Sequence, residues 1–214
     1  LTKKTNHLFK SHFDWLHKTI DFLKDKNCYI IIRPHPAEKL TRCKMTSEKY
    51  IKKYIKNSED LIVLPSNTPI NTYGLIDIAD LGLVYSSDIG WEMVMRNKPV
   101  VAAGKGAAWG KNIQFDPFTL EEYFNKIAFF LRRKKFVVSK KRVKNAFKFM
   151  HFYHQEVPKI FPFPLFKYWT LETYENLKKL TFCESLPRTI DKTFDLFQET
   201  EIRFNGIIKD FSYK

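Results

Sequence analysis

Three short stretches hold residue types that can handle a phosphate. The first is Arg33-Pro34-His35-Pro36. A histidine between two prolines has little backbone freedom. With an arginine two residues away it pairs a guanidinium fork with an imidazole that can donate a proton or a hydrogen bond. A turn in which His35 only satisfies a backbone carbonyl accounts for the same residues. The second is Ser86-Ser87-Asp88-Ile89-Gly90-Trp91-Glu92. Two hydroxyls at a helix start, beside backbone N–H groups at the positive helix end, form an anion site. Gly90 removes side-chain bulk from the first turn, and Glu92 can accept hydrogen bonds from sugar hydroxyls. An ordinary N-cap explains the same serines. The third is Gly104-Lys105-Gly106-Ala107-Ala108-Trp109-Gly110, a loop able to lie over a ligand. It has neither the GxxxxGK[ST] nor the GxGxxG order, which argues against nucleoside-triphosphate and dinucleotide binding.

These stretches must be positioned by the elements around them. Residues 9–25 place Phe9, Phe13, Leu16, Ile20 and Leu23 at helical spacing. Residues 28–33 (CYIIIR) read as a buried parallel strand stopped by Pro34 and Pro36. A helix is predicted over 47–57 with Ser47 as N-cap, a strand over 61–64, and a helix over 72–79. A strand over 81–85, a helix from the serines through about residue 96, and a strand over 99–102 complete the alternation. A long helix over 119–132 starts with Thr119 and Glu122 in capping-box spacing. Strands alternating with helices predict an α/β fold: a Rossmann-like parallel sheet with helices on both faces and right-handed crossovers. Ligands of such folds bind beyond the carboxyl ends of the strands, and all three stretches fall there.

Past residue 135 the pattern changes. A basic helix is predicted over 139–153, prolines break FPFPLF, and helices follow near 171–180 and 189–198. Residues 1–135 are therefore read as the Rossmann-like domain and 136–214 as a helical, basic and aromatic C-terminal extension. The net charge of +14 is concentrated: nine basic residues and no acidic one lie within residues 132–148. That segment, interleaved with Phe136, Val137, Val138, Val143 and Phe147, is suited to an anionic membrane surface, or is a solvated face over an aromatic core. No nucleic-acid motif is present, and no nucleic-acid partner is expected.

Other chemistry is poorly supported. No apolar run spans a bilayer. Cys28, Cys43 and Cys183 are spaced for neither a disulfide framework nor zinc, which suits a reducing compartment. His151 and His154 have no third ligand, His7, His12 and His17 share no helical face, and no GxSxG occurs. No metal and no cofactor are expected. The chain begins at Leu1 and reads as a piece of a longer protein.

The combination of IIRPHPAE (31–38) with TYGLIDIADLGLVYSSDIGWEMVMRNKPVVAAG (72–104) resembles bacterial capsule polysaccharide biosynthesis glycosyltransferases. It is similar to the C-terminal half of the lipid-linked capsule Kdo transferases and, more distantly, of the bacterial sialyltransferases. The resemblance covers roughly residues 9–130 and implies the GT-B architecture, in which the C-terminal domain holds the sugar-nucleotide donor. His35-Pro36 matches the family's HP motif and Ser86-Ser87 its serine motif; both are implied to hold the phosphate of a CMP-activated sugar, with His35 stabilising the leaving phosphate. Glu92 matches a donor-hydroxyl ligand of related enzymes. Arg33, Asp88, Gly90, Gly104 and Lys105 complete the expected donor site. The implied reaction is inverting, metal-independent transfer of a Kdo- or sialic-acid-like sugar to a polysaccharide or lipid-linked acceptor, in the cytoplasm or peripherally on the inner membrane. The family's acidic motif, which supplies the general base, is absent. The base is therefore expected on a missing N-terminal domain, or the chain is not catalytic alone. Teichoic-acid glycerophosphotransferases of the CDP-glycerol type and sugar-nucleotide epimerases share pieces of these motifs. A non-catalytic membrane-surface adaptor is the third reading.

Overall fold

A helix, four strand–helix alternations and a final basic helix follow one another, much as the hydrophobic spacing dictates. The computed structural model describes residues 8–40, 44–56, 58–133 and 136–156. In chain order the elements are α1 (His12–Leu23), β1 (Ile30–Ile32), α2 (Ala37–Leu40), α3 (Ser47–Tyr54), β2 (Leu61–Val63), α4 (Thr72–Ile78), β3 (Gly82–Val84), α5 (Ile89–Met95), β4 (Val100–Ala102), α6 (Leu120–Leu131) and α7 (Lys140–His151). The short helix α2 is an addition to the expected order. Cys43, Cys183 and the helices expected near 171–180 and 189–198 lie outside the described residues.

The chain is a mixed α/β protein built on parallel strand pairs. β1 pairs with β2 in the register Ile30–Leu61, Ile31–Ile62, Ile32–Val63, and β3 pairs with β4 as Gly82–Val100, Leu83–Val101, Val84–Ala102. The expected single sheet is instead two separate two-stranded sheets. Each strand is three residues long; Pro34 and Pro65 stand two residues past β1 and β2 and Pro99 directly precedes β4, and none brings a donor to the ladder. Ladders this short contribute few bonds beyond each pair. The strand expected to be buried on both faces is also corrected: Ile31 and its partner Ile62 are 41% and 42% exposed.

The core lies around the second pair and the two long helices. Val100 to Ala103 are fully buried, and α6 covers them with Tyr123, Ile127 and Phe130. From α1, Trp15 donates its indole N–H to the Tyr123 hydroxyl at 2.7 Å, and Thr19 Oγ1 lies 3.2 Å from the same oxygen. Burial pushes the Tyr123 phenol up to about 12. The buried face of α1 is Trp15, Leu16, Thr19, Ile20 and Leu23. Phe13, expected on it, turns aside and stacks on Tyr50 at 4.6 Å.

Caps explain where the helices begin and end. Thr119 accepts from the Glu122 N–H at 3.0 Å, while the Glu122 carboxylate reaches back to the Phe118 N–H at 2.7 Å, one residue beyond a standard capping box. At α3 the N-cap is Thr46, not Ser47. The Glu38 carboxylate takes both the N–H and the hydroxyl of Ser47, each at 2.7 Å, so Ser47 begins the helix and ties it to α2. α5 closes on Asn97 at φ 62, with Asn97 N–H to Val94 O and Lys98 N–H to Met93 O, a Schellman motif.

Two compact units divide the chain. The first runs from Leu1 to Phe147, beyond the 135/136 boundary read from composition. Within it Val138 donates to the Asn97 side chain at 2.9 Å, and Asn145 donates to the carbonyls of Asn112 and Lys111 at 3.2 and 3.4 Å. Arg142 donates to the carbonyls of Ile113 and Gln114, its guanidinium 4.0 Å from the Phe115 ring centre. The second unit, Lys148 to Lys214, is described through residue 156, where α7 passes into a π-helical turn, Phe152–Glu156. Among the described residues no helix is long and apolar enough to cross a membrane.

Candidate functional site

The open edges of β1 and β3 face one cavity of about 1240 Å³. Apolar residues of α1, β1 and β3 line it, among them Trp15, Leu23, Ile30 and Leu83. Arg33, His35 and Ser87 reach the same cavity from the carboxyl ends of the strands, as does His12.

Arg33 follows β1 directly. Its Nη1 donates to the carbonyl of Pro34 at 3.0 Å and of Ser66 at 3.4 Å, pinning the β1 end to the loop after β2. Its Nε–H is buried and has no hydrogen-bond partner among the described residues. A buried donor left over in this way is rare, because it forfeits its hydration without replacement.

His35 is exposed, and its Nδ1 accepts from the Ala37 N–H at 3.0 Å. Its carbonyl accepts from the Glu38 N–H at 2.9 Å. The histidine therefore caps α2 through an N–H, not the backbone carbonyl considered in the sequence reading. The bond at Nδ1 assigns the proton of the neutral ring to Nε2, leaving Nε2–H as a free-standing donor.

The β3 end runs through Tyr85, which is buried, to Ser86, half-buried, and Ser87 and Asp88, both exposed. Asp88 holds the N-cap position of α5 in right-handed helical geometry and makes no side-chain cap bond. The Gly90 and Trp91 N–H groups are already used, on the carbonyls of Ser87 and Asp88 at 3.2 Å each. The α5 start thus offers fewer free N–H donors than the expected anion site. Gly90 is small for a packing reason: a Cβ there would lie 2.7 Å from Gln114 Oε1 and 3.1 Å from Val84. The space is occupied by the Gln114 amide rather than open to a ligand.

The glycine stretch is held by backbone contacts. Ala103 and Gly104 donate to the carbonyls of Val84 and Tyr85, continuing the β3–β4 ladder. A Cβ on Gly106 would come within 2.8 Å of the Ser86 carbonyl oxygen, so this glycine permits two backbones to touch. Lys105 is exposed. Downstream, Asp116 Oδ2 accepts from the Gly110 N–H at 2.8 Å while Oδ1 is buried without a partner among the described residues. Burial pushes the Asp116 carboxyl up to about 6, against the opposing pull of the Gly110 N–H, the Gln114 side chain and the nearby Arg142.

The structure brings Arg33, His35 and Ser87 to one cavity; Ser86, Asp88, Gly90, Glu92, Gly104 and Lys105 are not among the residues that line it. Glu92 accepts from the Tyr73 hydroxyl at 2.8 Å, beside an ion pair of Arg96 and Asp77 at 2.7 Å. That network joins α4 to α5 on the surface.

His12 is a cavity-lining residue that the sequence analysis did not single out. Desolvation lowers its pKa, and Glu38 raises it by a smaller amount. Its ring lies 5.5 Å from those of Tyr85 and Trp15. The available signal was its spacing with Trp15, Leu16 and Thr19, which sets it on the buried face of α1. Among the described residues no three His, Cys, Asp or Glu side chains converge as a metal site. No family model, no curated protein and no solved structure matches the chain.

Proposed function

We propose that this chain is the donor-binding domain of a glycosyltransferase that moves a sugar from a nucleotide-activated donor, CMP-linked by preference, to a growing capsule or other surface polysaccharide. One observation carries the reading: Arg33, His35 and Ser87 line a single cavity that runs along β1 and β3 to their carboxyl ends, with His35 exposed and its Nε2–H left by the bond at Nδ1. A guanidinium, an imidazole N–H and a hydroxyl at one cavity suit the oxygens of a phosphate. The wider fold of this proposal is the Rossmann-like domain of the GT-B type; the parallel pairing of both sheets and the cavity lined by β1 and β3 support it.

In the proposed reaction an acceptor hydroxyl loses its proton to a base and attacks the anomeric carbon. The bond to the nucleotide phosphate breaks and negative charge gathers on that phosphate. His35 donates to it through Nε2, Arg33 supplies fixed positive charge and Ser87 a hydroxyl. One preorganised donor of this kind contributes about 3–4 kcal/mol to such a step. No residue of the described chain is assigned the general base.

Calorimetric titration of the chain with CMP-, UDP- and CDP-linked compounds tests the proposal. His35→Ala and Ser87→Ala are each expected to weaken binding of the preferred donor about tenfold or more, the equivalent of one hydrogen bond to a charged group. Equal affinities in the parent chain and both variants would sink the assignment. A preference for CDP-glycerol would move it to glycerophosphotransfer.

A further inference from the structure

We propose that the outward face of α7 docks this chain onto an anionic phospholipid surface. The helix has two faces of different chemistry. Arg142, Asn145 and Ala146 turn inward: Ala146 is fully buried, Asn145 is 8% exposed, and Arg142 is spent on the carbonyls of Ile113 and Gln114. Lys140, Lys141, Lys144 and Phe147 are exposed, at the spacing of one helical stripe. Just before them Arg132, Arg133 and Val137 are also exposed. No acidic residue occurs between Glu122 and Glu156. The ion pairs of the described residues, Lys18–Asp14, Lys24–Asp21 and Arg96–Asp77, use none of these cations.

The apolar members choose between polyanions. Val137 is 72% exposed and Phe147 48% exposed, both set among cations. A nucleic-acid backbone offers such side chains nothing, whereas the boundary between headgroups and acyl chains takes apolar and cationic groups together. The phosphates of an anionic leaflet supply the charge that the sequence lacks here, and each nearby lysine strengthens binding about fivefold. Arg142 takes no part, so the docking charge is smaller than the run of nine basic residues suggests. Arg133 and Val137 also line the cavity that holds Arg33, His35 and Ser87, whereas Lys140, Lys141, Lys144 and Phe147 do not, so the variants tested act away from the proposed donor site.

Co-sedimentation of the full chain with vesicles tests it. Binding is expected to vesicles of phosphatidylcholine mixed with phosphatidylglycerol, not to phosphatidylcholine alone, and is expected to weaken as salt rises. Replacing Lys140, Lys141 and Lys144 together by glutamine should weaken it about a hundredfold. Phe147→Ser should weaken vesicle binding and leave binding to duplex DNA unchanged. All four positions are exposed, and unchanged circular dichroism shows that the variants keep the fold. Equal binding to neutral vesicles, no binding to anionic ones, or an unaffected triple variant would overturn the proposal. So would DNA binding that outlasts the loss of vesicle binding in the parent chain at moderate salt.

Discussion

Replacing Asp116 by asparagine isolates the energetic cost of one buried charge next to the glycine stretch. The carboxylate holds the Gly110 N–H with one oxygen, and its other oxygen is buried without a partner among the described residues. Burial raises the carboxyl from 3.8 to about 6. As pH rises through that window the unfolded chain loses its proton first, so the folded state binds more protons and stability falls. At about 1.4 kcal/mol per unit the full cost above pH 6 is about 3 kcal/mol. Between about pH 4 and pH 7.5 roughly 2.5 kcal/mol of it develops, because the unfolded group is already half-ionised near pH 4. Asparagine keeps an acceptor for Gly110 and never ionises. Urea denaturation of both proteins, followed by tryptophan fluorescence, should show the variant gaining about 2.5 kcal/mol on the parent across that pH interval. The comparison with pH matters more than the offset at any one pH, since the asparagine N–H₂ group carries its own burial cost. A difference that stays flat, or that moves the other way, would show that Asp116 ionises normally and that the desolvation argument is wrong.

Tyr123→Phe removes the hydroxyl that accepts from Trp15 and hydrogen-bonds Thr19 and leaves both groups buried without it, so a loss of about 1–3 kcal/mol is expected in the same urea assay. A loss of less than half a kcal/mol would mean that the pair finds other partners. Gly106→Ala sets a methyl 2.8 Å from the Ser86 carbonyl oxygen, which must shift, so a destabilisation of about 1–3 kcal/mol is expected. Amide hydrogen exchange should locate the disturbance after β3 and in the glycine stretch, and unaltered exchange there would contradict the contact.

Element types were legible where local chemistry decides them. The 119–132 helix is found at Leu120–Leu131 because Thr119 and Glu122 supply the cap from within the segment. The strands were legible as apolar runs cut by prolines. Their joining was not, since whether β1 meets β3 depends on packing between residues some fifty positions apart. Thr46 and Ser47 are equal candidates for a cap in the sequence; the distant Glu38 carboxylate takes Ser47 and leaves the cap to Thr46. The placing of His35 and Ser87 at one cavity was legible because each follows the end of a strand that a parallel arrangement brings to the same side. Glu92 was not, because its tie to Tyr73 exists only once α4 packs on α5. His12 was hidden for the opposite reason: a histidine on an apolar stripe reads as part of a core.

The Arg142 contacts bear on where this chain can be divided. A cut after residue 135, where composition changes, would leave the carbonyls of residues 111 to 114 without Arg142 and Asn145, and the Asn97 side chain without Val138. Those carbonyls sit in the segment that joins the glycine stretch to α6. A basic helix that looks like an appendage is thus a structural clamp on the domain before it. The smallest piece able to keep that segment in place ends past Asn145, and any shuffling of the domain between proteins would have to carry this helix along.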